Sequence, residues 1–126
     1  MAKILLVDDE PDILKMLKIL LEEQGHVTVS ALNGEQGRNF ILAGESDLMI
    51  CDIRMSPING MELLKLARDK RPTMSVIMLT AFGQVDTAVE AMELGAFDYV
   101  KKPFLVDELL STVNRALECH DMMQST

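Results

Sequence analysis

Asp47-Leu48-Met49-Ile50-Cys51-Asp52-Ile53-Arg54-Met55-Ser56-Pro57-Ile58-Asn59-Gly60 is the stretch on which the fold turns. Four apolar residues, Leu48 to Cys51, run straight into a carboxylate, and turn-forming residues follow. A short apolar run bounded by turn signals suits a strand buried on both faces of a parallel sheet. Asp52 then stands at the carboxyl end of that strand, where open α/β sheets bind their ligands.

The chain on either side alternates between strand and helix signals. Lys3 to Val7 is apolar and β-rich, and Asp8-Asp9-Glu10-Pro11 ends it and starts a helix. Acids in a first helical turn suit the helix dipole, and Pro11 fits a position that needs no N–H. Ile13, Leu14, Leu17, Leu20 and Leu21 then repeat with helical spacing up to Gly25. His26 to Ala31, with Val27 and Val29 against polar neighbours, reads as a half-exposed edge strand. Asn33-Gly34 turns the chain into a short helix over Glu35 to Ala43. After Asp52 the pattern predicts a helix over Gly60 to Lys70, a buried strand over Ser75 to Leu79 with Thr80 at its end, and a helix over Gly83 to Leu94. A strand over Phe97 to Val100 follows, then a last helix over Val106 to Cys119. Residues 1–120 form one domain in this reading, and 121–126 are a tail or the start of a linker.

Strands alternating with helices imply a doubly wound α/β fold, a five-stranded parallel sheet with helices on both faces. The common order 2-1-3-4-5, that of the flavodoxin-like folds, puts its switch point between the first and third strands. That order sets Asp8 and Asp9 beside Asp52, and adds Thr80 and Lys102 from the fourth and fifth strands.

Composition narrows the function. At 126 residues the chain is one domain, with a net charge of −8 from twelve basic and twenty acidic side chains. That balance argues against direct nucleic acid binding, and no apolar run approaches a membrane span. Cys51 and Cys119 have no metal spacing and read as reduced thiols of a cytoplasmic protein. The ten methionines read as core filler, and His26 and His120 are assigned no role.

Three carboxylates at one crevice repel each other, and a hard divalent cation such as Mg²⁺ is the usual remedy. A carboxylate can also attack a phosphoryl group to give an aspartyl phosphate. Such a transfer needs its charge neutralised, by metal and by a Lys ammonium, more than it needs acid–base chemistry. Taken singly, Asp8-Asp9 reads equally as a helix cap, Asp52 as a turn residue, Thr80 as a strand end and Lys102 as a surface lysine. Their joint convergence is what points to phosphoryl chemistry.

Val7-Asp8-Asp9-Glu10, Asp52 with Met55 and Gly60, Thr80-Ala81 and Lys102-Pro103-Phe104 together resemble the receiver domain of two-component response regulators, across essentially the whole chain. The resemblance implies that Asp52 is the phosphoacceptor, served by a histidine kinase or a small phosphodonor. It implies Mg²⁺ held by Asp9, by Asp8 through water, by an Asp52 oxygen and by the Arg54 carbonyl. Lys102 would pair with the phosphoryl group, through a Lys102–Pro103 bond that is cis in the family. Thr80 and Tyr99 would form the switch pair that reshapes the surface of helix four, strand five and helix five, a face for a phosphorylation-dependent homodimer. Thr80 to Phe104, with Val85-Asp86-Thr87-Ala88 and Gly95-Ala96-Phe97-Asp98-Tyr99, looks most like receivers fronting ATPase-type transcriptional activators. An effector domain on a longer parent chain, or a stand-alone receiver, both fit.

One departure stands out: Ser56 follows Met55 where the family usually has Pro, and Pro57 comes one place later. Phe82, two residues after Thr80, is expected to hinder the attacking water and prolong the phosphate. Three rival readings lose on particular residues. An aspartyl-phosphate phosphatase wants a carboxylate where Arg54 stands. A flavin carrier wants a Ser/Thr/Gly loop where Asp8-Asp9-Glu10-Pro11 stands. A receiver that works without phosphorylation would not need the acids, Thr80 and Lys102 together.

Overall fold

The structure is a computed structural model and describes residues 2–55, 58–81 and 85–125. Ten elements alternate along the chain: β1 (Lys3–Val7), α1 (Pro11–Glu23), β2 (Val27–Ala31), α2 (Gly34–Ala43), β3 (Leu48–Asp52), α3 (Gly60–Lys70), β4 (Ser75–Ala81), α4 (Val85–Glu93), β5 (Asp98–Lys102) and α5 (Val106–Ser125). The sheet is parallel throughout, in the order β2-β1-β3-β4-β5, as the alternation predicts.

Strand side chains alternate between two cores. Leu5, Val7, Met49, Cys51, Val76 and Met78 face α2, α3 and α4, where Ile41, Leu63, Leu64, Ala67 and Ala91 meet them. Ile4, Leu6, Leu48, Ile50, Ile77 and Leu79 face α1 and α5, against Leu14, Leu17, Leu21, Leu109, Val113 and Ala116. Every residue of β3 is buried, which is why its sequence reads as a continuous apolar run rather than an alternating one. The edge strand β2 is half exposed, as expected, but its first valine points out: Val27 is exposed while Thr28 is buried. The Thr28 hydroxyl is satisfied by Glu22 Oε2 at 3.2 Å, so a polar residue takes the inner place.

Helix starts follow local chemistry. Pro11 opens α1. Asn33 Oδ1 accepts from the Gln36 N–H and Asn59 Oδ1 from the Glu62 N–H, capping α2 and α3. Gly44 closes α2 with a left-handed φ of 74°.

The largest differences from the sequence reading are in three elements. β4 runs two residues further, to Ala81, because Thr80 and Ala81 pair with Lys101 and Lys102. β5 begins at Asp98 and reaches Lys102 for the same reason. The last helix does not stop at Cys119; α5 continues to Ser125, so residues 121–125 are helix rather than a frayed tail. The physical reason sits at His120, which is buried one residue past the expected end. Its Nδ1 lies 2.6 Å from the Thr73 carbonyl and its Nε2 3.2 Å from Asp47 Oδ1. That tie carries α5 through its predicted stop.

Candidate functional site: an acidic crevice with one lysine

Asp8 follows β1 directly, and its backbone N–H donates to Ala31 O at 3.1 Å, so the chain is still held at sheet level there. Asp52 ends β3 opposite Leu79, and Thr80 is the next residue of β4. Lys102 ends β5, and its bond to Pro103 is cis. Strand register therefore delivers all four residues to one end of the sheet.

Asp8 is completely buried, Asp52 nearly so, and Thr80 is buried, while Asp9 and Glu10 are exposed. The Lys102 ammonium lies among three carboxylates. It is 2.7 Å from Asp8 Oδ2, 3.4 Å from Asp52 Oδ2 and 3.6 Å from Glu10 Oε1. Asp8 Oδ1 accepts the Glu10 N–H at 2.9 Å, and Asp52 Oδ1 accepts the Arg54 N–H at 3.3 Å. Gly60 lets α3 start hard against this strand end, since a Cβ there would fall 2.1 Å from the Asp52 carbonyl oxygen.

The electrostatics follow from burial. Desolvation raises the pKa of Asp8 above 3.8, against the pull of the Lys102 ammonium and the Glu10 N–H. Desolvation likewise raises Asp52, with the Asp8 charge adding to it and Lys102 opposing. Burial alone would lower Lys102, but Asp8, Asp52 and Glu10 together hold its pKa above 10.5. The lysine is thus a fixed cation shared among acids that outnumber it.

The crevice fits a divalent cation. Asp8 Oδ2 is buried and, among the described residues, makes no aligned hydrogen bond, although Lys102 contacts it as an ion pair at 2.7 Å. Asp8, Asp9 and Glu10 each offer an oxygen within 4.8 Å of the others, a hard, anionic donor set of the kind Mg²⁺ takes. Among the expected ligands, Asp8 and Asp9 fall in this group. Asp52 faces Asp8 across the lysine, and the Arg54 N–H rests on Asp52. Glu10 is the residue that sequence reasoning left without a role; its place in an uninterrupted run of three acids was the available signal. Tyr99, the other half of the expected switch pair, is half-buried on β5 opposite Met78. Its ring packs against the core on the α2–α3–α4 side. Phe82 and the Ser56-Pro57 step lie outside the described residues, as does the expected helix start at Gly83.

Comparison with known proteins settles the family. The model for "Response regulator receiver domain" matches residues 4–114. The chain belongs to the response regulator receiver domains. It is 42% identical over 120 residues to regulatory protein AtoC of Escherichia coli (strain K12), covering 95% of this chain and 26% of that protein. It is 37% identical over 117 residues to nitrogen assimilation regulatory protein NtrX of Azorhizobium caulinodans, covering 91% of this chain and 26% of that one. This receiver therefore spans about a quarter of the length of the curated relatives it matches. Among solved structures, a receiver domain protein from Clostridium thermocellum superposes with a TM-score of 0.92 at 34% identity, covering 98% of this chain and 99% of that one. NtrX from Brucella abortus in complex with ATP superposes with a TM-score of 0.92 at 32% identity, covering 98% of this chain and 28% of its own. These relatives agree with the resemblance to receivers fronting ATPase-type activators. The receiver's fold is that of a two-component signalling module. Among the described residues, no helix is long and apolar enough to cross a membrane.

Proposed function

We propose that Asp52 is the phosphoacceptor of this receiver, charged in a Mg²⁺-dependent reaction by a histidine kinase or a small phosphodonor in the cytoplasm. The observation that carries this reading is the single Lys102 ammonium held between Asp8 and Asp52, beside a buried carboxylate oxygen with no aligned hydrogen bond. An Asp52 oxygen attacks phosphorus, the donor's bond to phosphorus breaks, and the leaving group keeps that bonding pair. Asp9, Asp52 and the Arg54 carbonyl, with Asp8 through water, would hold Mg²⁺, which would supply charge neutralisation for the transfer. Lys102 supplies the rest once its partner on Asp52 becomes a phosphoryl oxygen. Thr80, next along β4 from the residue paired with Asp52, donates its hydroxyl to the same group.

The new charge, close to two negative units, biases a switch. Thr80 moves toward it and Tyr99 turns inward, so the surface of α4, β5 and α5 changes shape. Val89 and Met92 on α4 and Leu105 before α5 are large apolar side chains exposed on that side, which supports its use as a contact face. The face would serve a phosphorylation-dependent homodimer and pass the signal to an effector domain on a longer parent chain, in control of transcription. The receiver is not a turnover enzyme; self-phosphorylation and slow autodephosphorylation are its whole chemistry. Phe82, two residues past Thr80, slows the attacking water, and Phe82→Ala should shorten the phosphate's lifetime.

The test is intact mass after incubation with acetyl phosphate and Mg²⁺. One added phosphoryl group on the wild type, none on Asp52→Ala, and none without the metal is the expected result. Equal addition to both proteins would refute the assignment.

A further inference from the structure

Ile58, which leads from Asp52 into α3, is seated from outside the crevice. α2 begins at Gly34, and its backbone there lies directly on Ile58, two residues before α3. A Cβ at Gly34 would fall 2.3 Å from the Ile58 carbonyl oxygen, 2.5 Å from Ile58 Cβ and 2.9 Å from its carbonyl carbon. Two of those three atoms are backbone, so no rotamer change makes room. Gly37, one turn along the same helix, differs in kind. Its Cβ would meet only the methyl ends of Leu63 and Val7, at 3.1–3.2 Å, and such ends give by a few tenths of an ångström.

Pressure on Ile58 has a short path to the acceptor. Gly60 is two residues on, its N–H donates to Ile53 O at 2.9 Å, and its Cα is packed against the Asp52 carbonyl. Asp52 in turn takes the Arg54 N–H on its carboxylate. Ile58 also packs its side chain against the core on the α2–α3 side, so it cannot slide freely outward.

We propose that Gly34 is a positioning residue for Asp52: by lacking a Cβ it lets α2 seat Ile58, and through Gly60 the backbone of the acceptor itself. The proposal rests on the reading of the crevice as a Mg²⁺-dependent acceptor site. It concerns a residue outside that crevice, which neither touches the reacting atoms nor offers a ligand.

The experiment compares wild type, Gly34→Ala and Gly37→Ala, by calorimetric Mg²⁺ titration and by the backbone amide resonances of Asp52 and Arg54. Gly34→Ala should displace both resonances and weaken Mg²⁺ binding by roughly ten-fold, since small misplacements of reacting groups cost factors of this order or more. Gly37→Ala should lower thermal stability yet leave both resonances and the affinity in place. Equal affinity in Gly34→Ala and wild type would overturn the proposal, as would equal losses in the two variants. Should Gly34→Ala not fold, Ile58→Gly removes the Cβ that faces Gly34 and frees the backbone beside it, and should displace the same two resonances; unmoved resonances would overturn the proposal. A wild type that binds no Mg²⁺ overturns the reading of the crevice, while the amide comparison still decides on Gly34.

Discussion

Both ends of this sheet hold a carboxylate against a nitrogen-bearing side chain, and they are built differently. At the carboxyl end, Asp8, Asp52 and Glu10 share one lysine, and Asp8 Oδ2 is left without an aligned hydrogen bond. At the amino end, Asp47 has both oxygens in use. Oδ2 accepts the Lys3 N–H at 2.9 Å and Oδ1 meets His120 Nε2 at 3.2 Å, while His120 Nδ1 faces Thr73 O. The first arrangement has acids in excess and a lone pair to spare, so it can take a cation or a phosphoryl group. The second has a protein partner on each carboxylate oxygen, and it fastens α5 to the start of β3. Surplus charge marks the end proposed to react, and satisfied polar groups mark the end that anchors.

The largest effect expected from this contrast is at Lys102. Lys102→Met leaves Asp8 buried beside other acids, and loss of one partner of a buried pair costs about 3 kcal/mol. Because the missing element is only positive charge, saturating Mg²⁺ should restore much of that loss in urea denaturation. A loss untouched by Mg²⁺ would break the comparison.

His120→Phe should cost less, about 1–2 kcal/mol, since it removes the two ring nitrogens but leaves Asp47 part-exposed and open to water. Here Mg²⁺ should restore nothing, and phosphoryl uptake should match the wild type. The measurement is the same pair of urea curves, with and without metal.

The smallest effect is in pH dependence. Asp8 and Asp52 keep their protons in the folded chain above 3.8, where the unfolded chain releases them. Their joint contribution to metal-free stability is therefore greatest below 3.8 and falls as pH climbs through their raised values. Lys102 acts in the same sense at higher pH: its contribution is complete below 10.5 and is lost as pH rises through its raised value. Asp52→Asn should flatten the acid-side fall, and so should Mg²⁺. A steeper fall in Asp52→Asn would contradict this assignment of the charges.

The two ends also differ in how far the sequence disclosed them. The convergence of residues at the crevice end was legible because they sit at strand ends, and buried strands announce themselves as apolar runs. Leu48 to Cys51 leading into Asp52 needs only local pattern and strand order. What escaped was pairing within the crevice: Lys102 lies closest to Asp8 rather than Asp52, and Glu10 joins the group. The anchoring end was not legible at all. Asp47 and His120 meet from opposite parts of the chain, and no periodicity links a histidine near the carboxyl terminus to an aspartate before β3. The extension of α5 to Ser125 went unseen for the same reason, and so did the exposure of Val27, whose inner neighbour Thr28 depends on Glu22.

The most direct test of the central claim is to reduce the phosphorylated protein with borohydride, which converts an aspartyl phosphate to homoserine, and to map the peptides by mass. The account predicts homoserine at position 52 alone, and only when Mg²⁺ was present during phosphorylation. Homoserine at position 8 or 9, or a phosphorylated protein that yields none at position 52, would contradict it.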